Sequence, residues 1–454
     1  MDNIFDIAIE ICVAFLVVFT PLAFGSVGLG PQIILISVSE LIFLLWFIKS
    51  IKSGKTDYPS GVFIFLFTVF LALIFFQTIP LPKFLLKALS PATYKNYMDF
   101  LPGYKEHFMW RSISIYPEAT KLEFFKFLSY GFIVFVIANS LNKKQQLLRI
   151  LTVISVTGFI VACFGIVQKF TSNGMIYWVQ PVPEGASQFG PFVNKNHFAG
   201  FMELTIPITA AFVFISERLE KKSFFGFMAI VMLLALFLCL SRAGIVSFLA
   251  ASGLIFLAAF LRRSLKRYLF YVLPAALLIA VFAFLIAKAP LVERFSAAPA
   301  AIQGRWQIYK DIFRMFKDFP LFGVGLGDFG KIFSMYKTFA SDVVYANAHN
   351  DWLQFLTETG LIGLFYIVAL MVLFFKDIFY CHFLGRGDCV LLKATRLRHD
   401  RVVIIIIAAG LVSLISIIFH GIFDINLHIP SNVLLVCIIG AVLINLAHSP
   451  HEVV

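Results

Sequence analysis

The chain of 454 residues is 60% hydrophobic and 14% charged, against roughly 45–50% and about 25% in soluble domains, which excludes a water-soluble fold. Its net charge of +12 is scattered in short clusters between apolar runs, with no basic stripe interleaved by aromatics, which excludes nucleic acid as a partner. Among six cysteines there is no CxxC and no Cys/His metal spacing, so neither a disulfide framework nor a metal centre is implied. Cys12, Cys163, Cys239 and Cys437 lie in apolar runs, and Cys381 and Cys389 in a basic loop.

Apolar runs of spanning length, about 20 residues each, fall near 5–25, 32–50, 61–79, 122–140, 147–168 and 197–216. A second set falls near 224–241, 243–262, 268–288, 358–376, 402–423 and 431–447. The pattern predicts an all-α, polytopic membrane protein of about 12 transmembrane helices, with 1–454 forming one integral membrane domain. The first run reads as a retained helix, because MDNIFD has no basic region and no small-residue cleavage site follows. Runs seven and eight nearly touch at Ser241–Gly244, a spacing that also suits a re-entrant pair.

Orientation follows from the connections. Lys49/Lys52/Lys55, Lys143/Lys144/Arg149, Arg218/Lys221/Lys222, Arg262/Arg263/Lys266/Arg267 and Arg386/Lys393/Arg396/Arg398/Arg401 occupy every second one. The positive-inside rule places these, and both termini, in the cytoplasm. The outward set is then a short first loop, 80–121, 169–196, the Ser241–Gly244 turn, a long and partly helical loop 289–357, and Asp424–Pro430. Pro80, Pro82, Pro181 and Pro183 mark irregular loop entries.

Three outward residues are expensive to keep near lipid. From Gly304 to Phe319 the spacing is helical, with Trp306, Tyr309, Ile312, Phe313 and Phe316 on one face. Lys310, Asp311, Arg314, Lys317 and Asp318 share the other, and Arg305 falls with the apolar set. A guanidinium there needs a partner: a salt bridge, an interfacial position or a bound anion. His349 is expected on the buried side of the next helix with Trp352, Leu353 and Leu356, opposite a wet stripe of Asp351, Gln354 and Glu358. It reads either as a structural histidine or, beside Asn350 at the outer mouth of a membrane helix, as a base near neutral pKa. Arg242 sits between two hydrophobic helices with almost no loop, where a charge costs roughly 2.5–3.5 kcal/mol. Two guanidiniums suit a diphosphate, and a neutral imidazole suits the deprotonation of a sugar hydroxyl beside it.

Weaker signals surround these. Asn194, Lys195, Asn196 and His197 precede the sixth run and suit a helix cap or an outer polar site. His420, Asp424, Asn426 and His428 ring the last outward turn, where solvated loop residues explain them as well. Gly323, Gly325 and Gly327 lack the Lys-Ser/Thr of a phosphate loop and predict a tight turn.

FVNKNHFAG (192–200), LSRAG (240–244), GRWQIYKDIFRMFKDFPLFGVGLG (304–327) and HNDWLQFLTETGLIG (349–363) together resemble the O-antigen ligase and polymerase family of bacterial membrane glycosyltransferases. The last segment has the form His-Asn, nine residues, Gly, two residues, Gly, a spacing associated with the ligases. The resemblance implies a metal- and nucleotide-independent enzyme with no cofactor, in the bacterial inner membrane with its active site in the periplasm. Its donor would be a glycan on undecaprenyl diphosphate. Its acceptor would be a lipid A–core hydroxyl in a ligase, another lipid-linked glycan in a polymerase, or a protein Ser/Thr in a protein O-oligosaccharyltransferase. By similarity Arg242 and Arg305 bind the diphosphate and His349 is the catalytic base or hydroxyl activator; Asn350, Asn194, Asn196 and His197 are further candidates for substrate contact from their outward position. A lipid-linked-sugar transporter has a similar helix count, but it gathers ionisable residues near the bilayer midplane rather than at the outer surface.

Overall fold

The computed structural model describes residues 2–54, 61–105, 107, 109–141, 143–182, 187–260, 298–339, 345–379 and 401–448. Among these residues there is no strand, only three isolated bridges. The helices are α1 (Asp2–Leu22), α2 (Leu29–Ser53), α3 (Gly61–Thr78), α4 (Lys83–Leu89), α5 (Pro91–Phe100), α6 (Pro117–Ser140), α7 (Lys144–Thr171) and α8 (Lys195–Ile215). They continue with α9 (Leu219–Leu238), α10 (Arg242–Phe260), α11 (Ala298–Asp318), α12 (Phe329–Tyr336), α13 (Asp351–Phe379), α14 (Arg401–His420) and α15 (Pro430–His448).

Eight of these, α1, α2, α6, α7, α8, α9, α13 and α14, are long and apolar enough to cross a membrane. Shorter apolar spans lie in α3, α10 and α15. The protein is therefore a multi-pass membrane protein. The predicted run 268–288 lies outside the described residues, as do Lys55, Pro183, the basic clusters at 262–267 and 386–398, Cys381 and Cys389. Prolines mark several starts: Pro117 and Pro430 each open a helix, where a missing N–H costs nothing.

The hub is α8. Every residue from Phe198 to Thr209 is buried, because the helix packs against α7, α9 and α14 at once. Outer helices instead expose Ile4, Ile11, Phe65 and Phe365, the side chains a lipid solvent accepts. At one end of the bundle Lys49 meets Asp6 at 2.5 Å and Arg149 meets Glu10 at 2.8 Å. The segments that carry the candidate site gather at the opposite end of α7.

A cap of α4, α5, α11 and α12 lies at that end. In α11 the buried face is Ile308, Ile312 and Met315, continued by Phe319 just after the helix, packed on Val324, Phe329, Ile332 and Phe333. Trp306 and Phe313, expected on the inward face, are 61% and 50% exposed. Asp311, expected on the wet face, is fully buried and accepts from the amide and hydroxyl of Thr338 at 3.0 Å each. Local donors at Thr338 make that carboxylate cheap to bury, which rotates the helix away from its apolar maximum.

In α13 the expected stripe is inverted. Asp351, Gln354 and Glu358 are buried, while Leu361, Phe365, Val368 and Val372 are exposed. Lipid surrounds this helix, so its polar side turns toward protein. The helix breaks at Gly360, which has φ +66° and ψ −170°. A Cβ there would lie 2.1 Å from the Leu321 carbonyl oxygen. The backbone of 320–325 fills the break: Leu361 N donates to Pro320 O (2.8 Å), Val324 N to Thr357 O (3.0 Å) and Gly325 N to Glu358 O (3.1 Å). Gln77 of α3 clamps the joint, donating to Phe322 O at 2.6 Å and Glu358 O at 2.8 Å. The glycine run 323–327 is thus a turn docked on a broken helix.

Candidate active site at the turn between the last two helices

The α14 helix ends at His420, whose carbonyl accepts the amides of Phe423 (2.8 Å) and Asp424 (3.0 Å). The turn that follows reaches Pro430 and is gripped from several sides. From α13, the Asp351 carboxylate accepts the amides of Asn426 (2.9 Å) and Leu427 (3.0 Å), and it holds His428 Nδ1 at 2.7 Å. Burial would lower the His428 pKa, but Asp351 and Glu358 beside it push it up to about 10, so it is a structural imidazolium. His420, Asp424 and Asn426, expected to fit a solvated loop, are instead buried, and His428 is nearly so. Carboxylates and amides on three helices replace water as their partners.

His349 precedes α13 in a left-handed conformation, φ +50°, uncommon for a residue with a Cβ. Its Nδ1 lies 3.1 Å from Asp424 Oδ1. The imidazole is 39% exposed while the carboxylate is 1% exposed, so His349, expected on a buried side with Trp352, Leu353 and Leu356, is only half-buried, as those three are. Paired with a carboxylate, Nδ1 carries the proton and Nε2 keeps its lone pair. Burial would raise the Asp424 pKa, yet His349, His197 and the Ile425 amide at 2.8 Å hold it well below the usual carboxylate range.

Arg305, on α11, donates from Nη1 to the Phe423 carbonyl at 2.6 Å, one residue before Asp424. Arg242 is half-buried at the start of α10. Its neighbour Ser241 accepts the Gly244 amide at 3.2 Å and donates to Asn196 Oδ1 at 2.7 Å. Asn196 in turn donates to Asp424 Oδ2. Arg305 and His349 therefore both bond to residues 423–424, and Ser241, next to Arg242, reaches Asp424 through Asn196.

The remaining predicted contact residues have partners within the protein. Asn350 donates to Ile422 O (2.8 Å) and accepts the Leu353 amide (3.0 Å), so both ends of its amide are engaged by backbone. Asn194 caps α8 by accepting the Asn196 amide at 2.9 Å. His197 is half-buried beside the turn, its carbonyl accepting from Asn432 at 3.1 Å. Asp424 and Ser241 were not among the predicted site residues. The signal for Asp424 was a carboxylate among two histidines in an outward turn, and for Ser241 its place beside Arg242.

Residues 227–368 match the model of the O-antigen ligase family, Wzy_C. The similarity to that family covers this stretch of the chain. It spans Arg242, Arg305 and His349 and stops short of Asp424, which α14 and its turn bring back to them. No individually curated protein matches the chain.

Proposed function

We propose that this protein moves a glycan from undecaprenyl diphosphate to a lipid A–core hydroxyl on the periplasmic face of the bacterial inner membrane. The observation that carries this reading is the His349–Asp424 pair at 3.1 Å, with Arg305 bonded to the adjacent Phe423 carbonyl. An exposed imidazole oriented by a buried carboxylate is a general base poised for a hydroxyl. Its Nε2 takes the proton of the acceptor hydroxyl as that oxygen bonds to the anomeric carbon. The anomeric C–O bond to the diphosphate breaks, and the electron pair leaves with undecaprenyl diphosphate. Arg305 and Arg242 hold the leaving group, whose charge grows in the transition state, and guanidiniums match its oxygens bidentately.

The test is glycan transfer by the purified protein in liposomes carrying a lipid-linked donor. Arg242→Ala, Arg305→Ala and His349→Ala are each expected to abolish transfer while leaving membrane insertion intact. Full activity in any one removes that residue from the mechanism. Supplying lipid A–core and lipid-linked glycan as competing acceptors decides the reaction. Glycan extended on its own lipid carrier would show a polymerase, and intact lipid crossing the bilayer would show a transporter.

A further inference from the structure

Beside the His349–Asp424 and His428–Asp351 pairs lies another acid–histidine pair, fully buried between α8 and the end of α14. Glu203, in the fully buried stretch of α8, has Oε1 2.7 Å from Nδ1 of His420, the last residue of α14, and neither side chain has any exposed surface. A carboxylate in that position is costly unless it is paired, so the pair fixes how the end of α14 sits against α8. His420 is also the residue whose carbonyl anchors the amides of Phe423 and Asp424. Those two residues hold Arg305 and His349.

Glu203 also lies against the first turn of α10, the helix that Arg242 opens. A Cβ added to Gly244, two positions after Arg242, would lie 3.0 Å from Glu203 Oε1 and 2.6 Å from the Ala199 Cβ. The first turn of α10 therefore rests directly on this carboxylate. Ser413 makes a different bond between α14 and α8, to the Leu204 carbonyl at 2.9 Å, and it has no link to the turn. It serves as the natural control.

We infer that Glu203 and His420 are positioning residues for the transfer reaction, setting the depth at which Arg242, Arg305 and His349 face one another. This rests on the transferase reading above. The pair acts on the transition state rather than on donor capture, because a displacement of about 1 Å in such a site costs on the order of 100-fold in rate.

The experiment is the liposome transfer assay with Glu203→Ala, His420→Ala, the double variant, Glu203→Gln and Ser413→Ala, each checked for its thermal unfolding midpoint in detergent. The alanine variants are expected to lose about 100-fold in kcat, with the donor KM changed by less than about threefold. The double variant should be no worse than either single one, since both remove the same contact. Glu203→Gln keeps an acceptor for His420 and should recover most of the rate. Ser413→Ala should lower the midpoint without lowering kcat.

Wild-type kcat in a folded Glu203→Ala protein overturns the inference, and so do losses that multiply in the double variant. If the alanine variants do not fold, Glu203→Gln against Glu203→Leu carries the same comparison, and equal rates for the two overturn it. A dead His349→Ala beside an unaffected Glu203→Ala sinks only this inference. An active His349→Ala sinks the transferase mechanism itself.

Discussion

Replacing Asp424 with asparagine isolates what the buried carboxylate does for His349. The side chain is 1% exposed and accepts from three donors: His349 Nδ1 at 3.1 Å, the Ile425 amide at 2.8 Å, and Asn196. An asparagine of the same shape offers one oxygen and one NH2, so one of those donors must face another donor. If His349 yields, its proton moves to Nε2 and the lone pair needed by a hydroxyl acceptor is lost. In a serine-protease triad the same change costs about 10⁴-fold in kcat. Because His349 is 39% exposed, water can partly re-orient it, so the loss here should be about 10²- to 10⁴-fold. Transfer from a lipid-linked donor in liposomes gives kcat and KM separately, and the donor KM should hardly move because both arginines remain. Stability supplies an independent reading. The folded pKa of Asp424 is depressed, so its contribution is present above the unfolded value of about 3.9 and is lost as pH falls. The wild type should therefore lose more of its unfolding midpoint below about pH 4 than Asp424→Asn does. A variant that turns over within about threefold of wild type, against the 10² or more expected, would refute the orienting role.

Three other changes probe the same construction. His428 has its pKa raised to about 10, so its stabilisation is complete below the unfolded value of about 6.5 and is lost as pH rises toward 10. The detergent unfolding midpoint should fall across that alkaline window in wild type and stay flatter in His428→Asn, as differential scanning fluorimetry would record. Gly360→Ala combines φ +66° with a Cβ 2.1 Å from the Leu321 carbonyl, and should cost more than about 3 kcal/mol, read as a collapse of folded yield on size exclusion. Arg305→Lys keeps the charge but loses the planar fork, so donor KM and kcat should both worsen by about tenfold or more. Near-normal kinetics would mean that charge alone suffices.

Much of the scaffold was legible in the sequence because membrane helices write long apolar runs. The runs near 147–168 and 197–216 correspond to α7 and α8 within a few residues. Arg242, Arg305 and His349 stood out because charged or titratable groups are rare in such a chain. What stayed hidden was which way helices turn. Periodicity in α13 separated Asp351, Gln354 and Glu358 from the apolar residues correctly, but hydrophobicity alone does not say whether water or lipid lies outside. Asp311 escaped for a related reason: its partners, the backbone and hydroxyl of Thr338, are 27 positions away in sequence.

The inversion of α13 also explains why the spacing from His349 to Gly360 matters physically. Asp351 must grip the 426–427 backbone at one end of a short helical segment, and Gly360 must open the helix at the other to admit the 320–325 chain. Helical geometry at 1.5 Å per residue puts the two ends of that segment about 14 Å apart. That segment sets the distance between the turn that orients His349 and the docked end of α11, the helix that carries Arg305. Inserting one alanine after Leu356 would turn everything beyond it by about 100° and move it by about 1.5 Å. Glu358 would then leave the buried stripe with the break at Gly360. Transfer should vanish with such an insertion even where His349, Asp424 and both arginines are unchanged. If activity persisted, the length of this segment would not be what sets the distance between the base and the anion-binding arginine.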